Sequence, residues 1–145
     1  MGERPERLSR SAFRLLRAIP TRRIDNDVYG HVNNVVYYSY FDTAVNAHLV
    51  ETGVLDPATS PVTGLVVETS CTYFESISFP ETVEAGIAVA ALGRSSVTYR
   101  VAIFKAGAEL AAAQGRFTHV YVERASGRPV EIPAAARAVL EPLRA

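Results

Sequence analysis

The fold is decided by the stretch Ile24-Asp25-Asn26-Asp27-Val28-Tyr29-Gly30-His31-Val32-Asn33-Asn34 and by the hydrophobic segment Val35 to Thr52 that follows it. The first part concentrates carboxylates, a glycine, an imidazole and carboxamides, although a simple connection needs only a turn residue and a helix cap. The second part places apolar residues at three- and four-residue steps, which predicts one helix. We therefore interpret this stretch as a catalytic turn that leads into a buried helix.

The composition of the turn suits acyl chemistry. Gly30 can adopt a positive φ without steric penalty, and Asn33 or Asn34 can cap the first free N–H groups of the helix. We expect the helix start to face back toward Asp27. Unpaired N–H groups and the positive end of the helix dipole can stabilise a carbonyl oxygen that gains negative charge. An anionic Asp27 opposite that point is the minimum equipment for attack on an activated acyl group.

A purely structural interpretation of the two carboxylates is the alternative. In that case Asp25 and Asp27 end a strand, and the two asparagines cap the helix. For an isolated Asp-x-Asp pattern we would favour that interpretation. The complete string from Asp25 to Asn34 favours a functional site.

The pattern D-x-D-x-x-G-H-V-N-N resembles the hotdog-fold thioesterases of the 4-hydroxybenzoyl-CoA thioesterase type, and also the related acyl-ACP thioesterases. The helix continues the resemblance with Tyr37, Tyr38, Tyr40, Phe41 and Asp42. Comparable strings occur at Cys71-Thr72-Tyr73-Phe74, Ile77 to Thr82, Leu92-Gly93-Arg94-Ser95-Ser96 and Gly127-Arg128-Pro129-Val130. The resemblance therefore covers about residues 13–134, nearly the whole chain.

The resemblance implies catalytic roles for individual residues. Asp27 matches the family's catalytic carboxylate, which acts as a nucleophile through a mixed anhydride or as a general base for water. Backbone N–H groups near Asn34 and Val35 would hold the thioester oxygen. A histidine at the place of His31 takes part in the acyl-ACP branch, but that branch has Asn where this chain has Tyr29. The role of His31 therefore stays open between positioning and turn formation.

Other residues are expected to bind the substrate. They are Tyr29, Gly30, Asn33 and Val35 in the turn, together with Arg94 and Ser95 further along the chain. Arg94 occupies a position where the family often contacts the CoA tail, and an ordinary hairpin residue is the alternative. The leaving thiol has a pKa of about 8.5 by analogy with cysteine, so its thiolate departs with little help from a general acid.

Length and composition restrict the possible functions. A chain of 145 residues suggests one domain without a separate cofactor module, and we expect no cofactor. Fifteen basic residues balance fifteen acidic ones, which gives no reason to expect nucleic acid or an anionic membrane as a partner. Cys71 is the only cysteine, which excludes an internal disulfide, and we interpret it as a small buried hydrophobic residue rather than a nucleophile. No metal-ligand spacing occurs.

The rest of the chain predicts strands separated by short turns. Strands are expected over Ala12 to Asp25, Val62 to Phe79, Thr82 to Leu92, Ser96 to Lys105 and Glu109 to Val122, and a short helix over Ala134 to Leu140. The hairpin spacings favour antiparallel pairing. The predicted fold class is α+β, with a long central helix packed on a curved antiparallel sheet of about five strands. The resemblance implies a single hotdog domain over residues 12–145. The charged residues before it have little apolar surface to bury, which predicts a mobile N-terminal arm over residues 1–11.

The expected context is a soluble, cytoplasmic enzyme. No apolar run approaches the roughly 18 residues of a membrane span, and the N-terminus is charged where a signal peptide is apolar. The resemblance implies an acyl-CoA substrate and a homodimer or homotetramer with active sites at the interface. The His-Pro-Gly and Asp-x-Asn-Pro-x-His patterns of hotdog hydratases do not occur in the sequence. An acyl-ACP thioesterase and a non-catalytic module that binds acyl thioesters are the alternatives, and aromatic, short and long acyl groups stay open.

Overall fold

The computed structural model describes residues 5–145. Its main elements, in chain order, are β1 (Leu15–Pro20), α1 (Val36–Glu51), β2 (Val62–Tyr73), β3 (Thr82–Leu92), β4 (Ser96–Lys105), β5 (Ala113–Glu123) and α2 (Ala134–Leu140). The strands form one antiparallel sheet in the order β1-β3-β4-β5-β2, and α1 packs across one face of it. One long helix on a five-stranded antiparallel sheet confirms the predicted fold class.

The sequence predicts the two central hairpin strands well and the first strand poorly. The bounds of β3, β4 and α2 agree with the predicted ranges. The predicted first strand is too long, because β1 ends at Pro20, whose partner Thr82 is the first residue of β3. Thr21 N–H still donates to the Glu81 carbonyl at 3.1 Å, but Glu81 precedes β3, and the chain then turns through a short 3-10 helix at Arg23–Asp25.

Helix α1 depends on burial against the sheet. Its valines and tyrosines are mediocre helix formers, so local propensity alone would hold it weakly. Its buried residues are Tyr37, Tyr40, Phe41, Ala44, Val45 and Leu49. Burying a large apolar side chain contributes roughly 1.5–3 kcal/mol, which exceeds the penalty of any one poor helix former. The main core therefore lies between α1 and the sheet.

A second, smaller core covers the opposite face of the sheet. It contains Phe13, Ala88, Ala102, Phe104 and Ala111, and the segment before β1 lies over it. Part of the predicted mobile arm, residues 1–4, lies outside the described residues, and its mobility stays a prediction. The described residues of this arm contact the sheet and the segment before β5. Arg10 donates to the Glu84 carboxylate at 2.6 Å, and Arg7 donates to the Ala111 carbonyl.

The sheet has two edge strands of different character. The outer strand β2 carries three exposed apolar residues in succession, Leu65, Val66 and Val67, of which the last is 59% exposed. The other edge, β1, ends in Pro20 and carries one charged side chain, Arg17. Across residues 5–145, no helix combines the length and the apolar character that crossing a membrane requires.

Gly115 lies where β5 and β2 approach too closely for a side chain. An added Cβ would overlap the backbone carbonyl oxygen of Ser70 on β2. We expect Gly115→Ala to destabilise the protein by about 1–3 kcal/mol, because strand backbones must shift to relieve the overlap. Urea denaturation measures the effect, with Gly93→Ala as control, where the new Cβ would lie 3.2 Å from the Ser96 hydroxyl oxygen. Equal stability of the two variants would contradict this account.

Candidate functional site

The polar turn folds around the carboxylate of Asp27. Its backbone N–H donates to the His31 carbonyl at 2.8 Å, and its carbonyl accepts from Gly30 N–H at 3.1 Å. Gly30 has a φ of +80°, which favours glycine. Asp27 Oδ1 accepts from the N–H of Tyr29 at 2.8 Å and of His31 at 3.4 Å. The other carboxylate oxygen, Oδ2, has no partner among the described residues, so the turn fixes the carboxylate and leaves one oxygen available.

The turn is attached to the loop that follows β2. Val32 N–H donates to the Ile77 carbonyl at 2.7 Å, and the Ser78 hydroxyl donates to the Gly30 carbonyl at 2.8 Å. The Asn26 side-chain oxygen accepts from Phe79 N–H at 3.0 Å. These bonds fix the turn from several sides, so the position of Asp27 is set by the loop between β2 and β3 as well as by the turn itself.

Asp25 has a structural role that differs from that of Asp27. It is 1% exposed, and its carboxylate accepts from the Tyr40 hydroxyl at 2.8 Å, from Arg22 N–H at 2.8 Å and from the Arg22 guanidinium. Burial raises the pKa of Asp25, but these hydrogen bonds outweigh it and its pKa lies below the ordinary value. Burial and the bond to Asp25 raise the pKa of Tyr40. Asp25 therefore connects the turn to helix α1 as an ionised acceptor.

The start of α1 offers one unpaired backbone donor. Asn33 Oδ1 accepts from Val35 N–H at 3.1 Å, and the Asn33 carbonyl accepts from Val36 N–H. The N–H of Val35, expected from the sequence to hold a substrate oxygen, is therefore already engaged. The N–H of Asn34 has no acceptor among residues 5–145, and the Asn34 carbonyl accepts from the Tyr73 hydroxyl at 2.7 Å. Asn34 is the donor left for a ligand at this helix end.

These groups border one open cleft of about 380 Å³. Its lining residues are Asp27, His31, Val32, Asn34, Tyr37, Tyr73, Phe74, Glu75 and Ser76. The rings of Tyr37 and Tyr73 meet edge to face, with centroids 5.0 Å apart. Burial raises the pKa of Tyr37 to about 12, so its phenol is neutral at physiological pH. The cleft thus has a polar mouth and an aromatic wall.

Cys71 is half-buried on β2 near this wall. Burial raises the pKa of its thiol to about 11, so the thiolate form is scarce near neutral pH. This supports the interpretation of Cys71 as a packing residue. In the described part of the chain, no three His, Cys, Asp or Glu side chains are grouped so that they could hold a metal ion.

The structure gathers most of the predicted site residues and separates two of them. Asp27, Gly30, His31, Asn33 and Asn34 lie in or beside the turn. Tyr29 lies in the turn and Val35 directly follows it, both with exposed side chains. Arg94 and Ser95 lie in the β3–β4 hairpin, at the other end of β3, and an 11-residue strand is about 35 Å long.

Within one chain, the hairpin does not reach Asp27. Arg94 is largely exposed, and its guanidinium lies 3.7 Å from the Glu131 carboxylate. The structure also adds cleft residues that the sequence did not single out as site residues, Tyr37, Tyr73 and Glu75 among them. The sequence signal of the two tyrosines was their place in the aromatic strings, which helix and strand packing explains equally well.

Comparison with known proteins identifies the family. A model of the thioesterase-like superfamily matches residues 22–140, from the turn to the end of α2. The chain belongs to the thioesterase-like superfamily. The matched residues include the whole cleft and four of the five strands.

Solved structures share the hotdog fold with this member of the superfamily. The PA5185 protein from Pseudomonas aeruginosa strain PAO1 is 51% identical with a TM-score of 0.94, and the match covers 97% of this chain and 98% of that chain. The PA2801 protein from Pseudomonas aeruginosa, provisionally named a thioesterase, is 28% identical with a TM-score of 0.77, over 85% of this chain and 95% of that one.

A more distant structure shows the likeness of fold alone. The DHNA-CoA thioesterase from Staphylococcus aureus is 22% identical with a TM-score of 0.72, and the match covers 80% of this chain and 78% of that chain. No curated protein matches the chain.

The bond between Asp25 and Tyr40 should make stability depend on acidity. The folded pKa of Asp25 lies below its unfolded value of about 3.9, so its contribution is present above that pH and is lost as pH falls through the folded pKa. We expect Tyr40→Phe to lower the free energy of unfolding by about 1–3 kcal/mol at pH 7, because it removes a donor from a buried carboxylate.

Urea denaturation between pH 2 and pH 7 measures both effects. Asp25→Asn should show a shallower loss of stability on acidification than the wild type, and Glu123→Gln, an exposed carboxylate on β5, serves as control. An acid dependence of Asp25→Asn that equals the wild type would contradict the assigned role of Asp25.

Proposed function

We propose that the protein hydrolyses an acyl thioester, with coenzyme A as the carrier and Asp27 as the reacting carboxylate. The observation that carries this proposal is a single cleft lined by both Asp27 and Asn34. Asp27 has one carboxylate oxygen without a partner, and Asn34 has a backbone N–H without an acceptor, among the described residues. Membership of the thioesterase-like superfamily supports the same chemistry.

Two routes fit this pair of groups. As a general base, Asp27 takes a proton from water while the water oxygen bonds to the acyl carbon; the C–S bond then breaks and the thiolate leaves. As a nucleophile, Asp27 bonds to the acyl carbon, expels the thiolate and forms a mixed anhydride that water hydrolyses. In both routes the Asn34 N–H and the start of α1 stabilise the carbonyl oxygen as it becomes negative.

His31 serves this chemistry as a positioning residue. Its backbone N–H donates to Asp27 Oδ1 and its carbonyl accepts from Asp27 N–H, so it fixes the carboxylate from both sides. Its side chain is exposed and lines the cleft. The binding roles of Tyr29 and Gly30 follow from their place in the same turn.

A homodimer formed through β2 would complete the site. The edge of β2 presents Leu65, Val66 and Val67 to solvent, and exposed apolar edge strands tend to pair. Antiparallel pairing of two copies of β2 brings the start of one strand beside the end of the other. The end of the sheet that contains Val62 would then adjoin the Asp27 cleft of the second copy.

This arrangement would also supply an acyl pocket and the CoA contact. A cavity of about 220 Å³ lies at the start of β2, and its apolar lining includes Leu49, Val54, Leu55, Val62, Tyr121 and Ala136. The hairpin of Arg94 and Ser95 lies at the same end of the sheet, because Ser96 pairs with Val120 and Val120 with Leu65. Residues that one chain separates by the length of β3 are thus brought toward one site by a dimer.

Thiol release from a panel of acyl-CoAs tests the reaction and the residue together. We expect Asp27→Asn to lower kcat by about 10²–10⁴-fold, as for removal of a general acid or base, while the fold is retained. Asp42→Asn, an exposed carboxylate on α1, is the matched control and should keep wild-type rates. Hydrolysis that survives in Asp27→Asn would reject the role of Asp27. Binding of acyl-CoA without hydrolysis by the wild type would indicate a non-catalytic module that binds acyl thioesters. Faster hydrolysis of acyl-ACP than of acyl-CoA would indicate an acyl-ACP thioesterase.

Light scattering tests the proposed dimer. We expect Leu65→Lys/Val67→Lys to yield a folded monomer with strongly reduced hydrolysis, because like charges would oppose each other across the paired edges. Leu110→Lys, an exposed apolar position outside β2, is the control and should keep the mass and activity of the wild type. A monomeric wild type that is fully active would contradict the composite site.

A further inference from the structure

A row of polar side chains crosses the face of the sheet opposite α1. Arg100 on β4 lies directly opposite Arg116 on β5, and Arg116 lies opposite Ser70 on β2. The neighbouring row contributes Gln114 and Thr72. This face therefore places two guanidinium groups and two hydroxyl groups next to each other on strands β4, β5 and β2.

The two arginines form an uncompensated pair of charges. Directly opposed residues on antiparallel strands have Cβ atoms about 4.5–5.5 Å apart, and like charges in that position repel. Among the described residues, no carboxylate lies within 4.0 Å of either guanidinium. Glu6 borders the same groove, and its backbone carbonyl accepts from the Gln114 amide. By contrast, the nearby Arg7 is paired with Glu75 at 2.7 Å.

The segment before β1 turns this surface into a groove. Gln114 is 6% exposed; its side-chain oxygen accepts from Leu8 N–H at 2.7 Å and its amide donates to the Glu6 carbonyl at 2.8 Å. These bonds hold the segment over the sheet and leave a groove of about 340 Å³. Its lining includes Ser70, Thr72, Arg100 and Arg116. The hydroxyl groups of Ser70 and Thr72 have no partner within the described part of the chain.

We propose that this groove binds a phosphate group. Two guanidinium forks offer paired N–H donors that match phosphate oxygens, and the hydroxyl groups add neutral donors beside them. A phosphate dianion would also relieve the repulsion between Arg100 and Arg116. The groove is separate from the Asp27 cleft, because Thr72 faces the groove while the next residue, Tyr73, faces the cleft.

Two sources could supply this phosphate, a free phosphate or the phosphates of the thioester carrier. The inference does not depend on hydrolysis, because it is tested by binding alone. Inorganic phosphate, adenosine 3′,5′-bisphosphate, coenzyme A and dephospho-coenzyme A are titrated into the full chain by calorimetry. The variant is Arg100→Gln/Arg116→Gln, and the control Arg14→Gln/Arg128→Gln removes two exposed arginines elsewhere.

We expect inorganic phosphate or the bisphosphate to bind the wild type and the control, and to bind the Arg100→Gln/Arg116→Gln variant at least tenfold more weakly. Binding should weaken as salt rises from 50 to 200 mM. Coenzyme A that binds more tightly than dephospho-coenzyme A, with the difference lost in the variant, would identify the carrier as the source. Equal binding of these two, with phosphate binding still dependent on the arginines, would identify free phosphate.

Three results would overturn the inference. The first is no binding of any of these compounds by the wild type. The second is equal binding by the Arg100→Gln/Arg116→Gln variant and the control. The third is a variant that changes its mass in light scattering without any change in phosphate binding, which would assign the arginines to a contact between copies of the chain. Loss of thioester hydrolysis would affect none of these readouts.

Discussion

The buried carboxylate of Asp25 is the interaction on which the site depends. It accepts from Tyr40 in the helix and from Arg22 before the turn, while its own carbonyl accepts from Asn33 N–H at 2.8 Å. One residue thus ties together the end of the 3-10 turn, the start of α1 and the middle of the helix. A buried charge without these donors would be strongly unfavourable, so the 3-10 turn and the helix must assemble together.

The division of labour between the two aspartates follows from that constraint. Both oxygens of Asp25 are occupied by donors from its own chain, which makes it a poor candidate for chemistry. Asp27, two residues further on, has one oxygen bound by backbone N–H groups and the other unoccupied among the described residues. The same short pattern therefore contains a buried structural carboxylate, Asp25, and an accessible one, Asp27. The bonds of Asp25 fix the position of the turn and thereby that of Asp27.

Much of this could be predicted from the sequence, and the failures have physical causes. Strands β3 and β4 agree with their predicted bounds because glycine-containing turns and β-branched residues mark both ends locally. The end of β1 is set by the length of its partner β3, which no local pattern records. The bond from the Tyr40 hydroxyl to Asp25 was not predicted, because the three- and four-residue steps of the helix do not reveal a partner across the turn.

In the candidate site, too, the sequence predicted contacts between neighbouring residues better than contacts that depend on the arrangement of the strands. The turn residues were predicted together because they are contiguous in sequence, and they are contiguous in space. Arg94 was placed with them on resemblance, yet β3 separates it from Asp27 within one chain. His119 lies fully buried in the sheet, and burial lowers its pKa to about 4, so its imidazole is neutral at physiological pH. The residues around it in the sequence do not indicate this burial. Distance across a sheet and solvent exposure both depend on strand order, which the sequence does not display.

The two edges of the sheet differ in how readily each could accept a strand from a second copy. The β1 edge ends in a proline, which cannot donate to a further strand, and its Arg17 is ion-paired to Glu51 of the helix. Such an edge resists the addition of another strand. The β2 edge presents three consecutive exposed apolar residues, followed by Glu68 at a bulge. Pairing between the β2 edges of two copies would give a closed two-fold arrangement rather than an open chain of sheets.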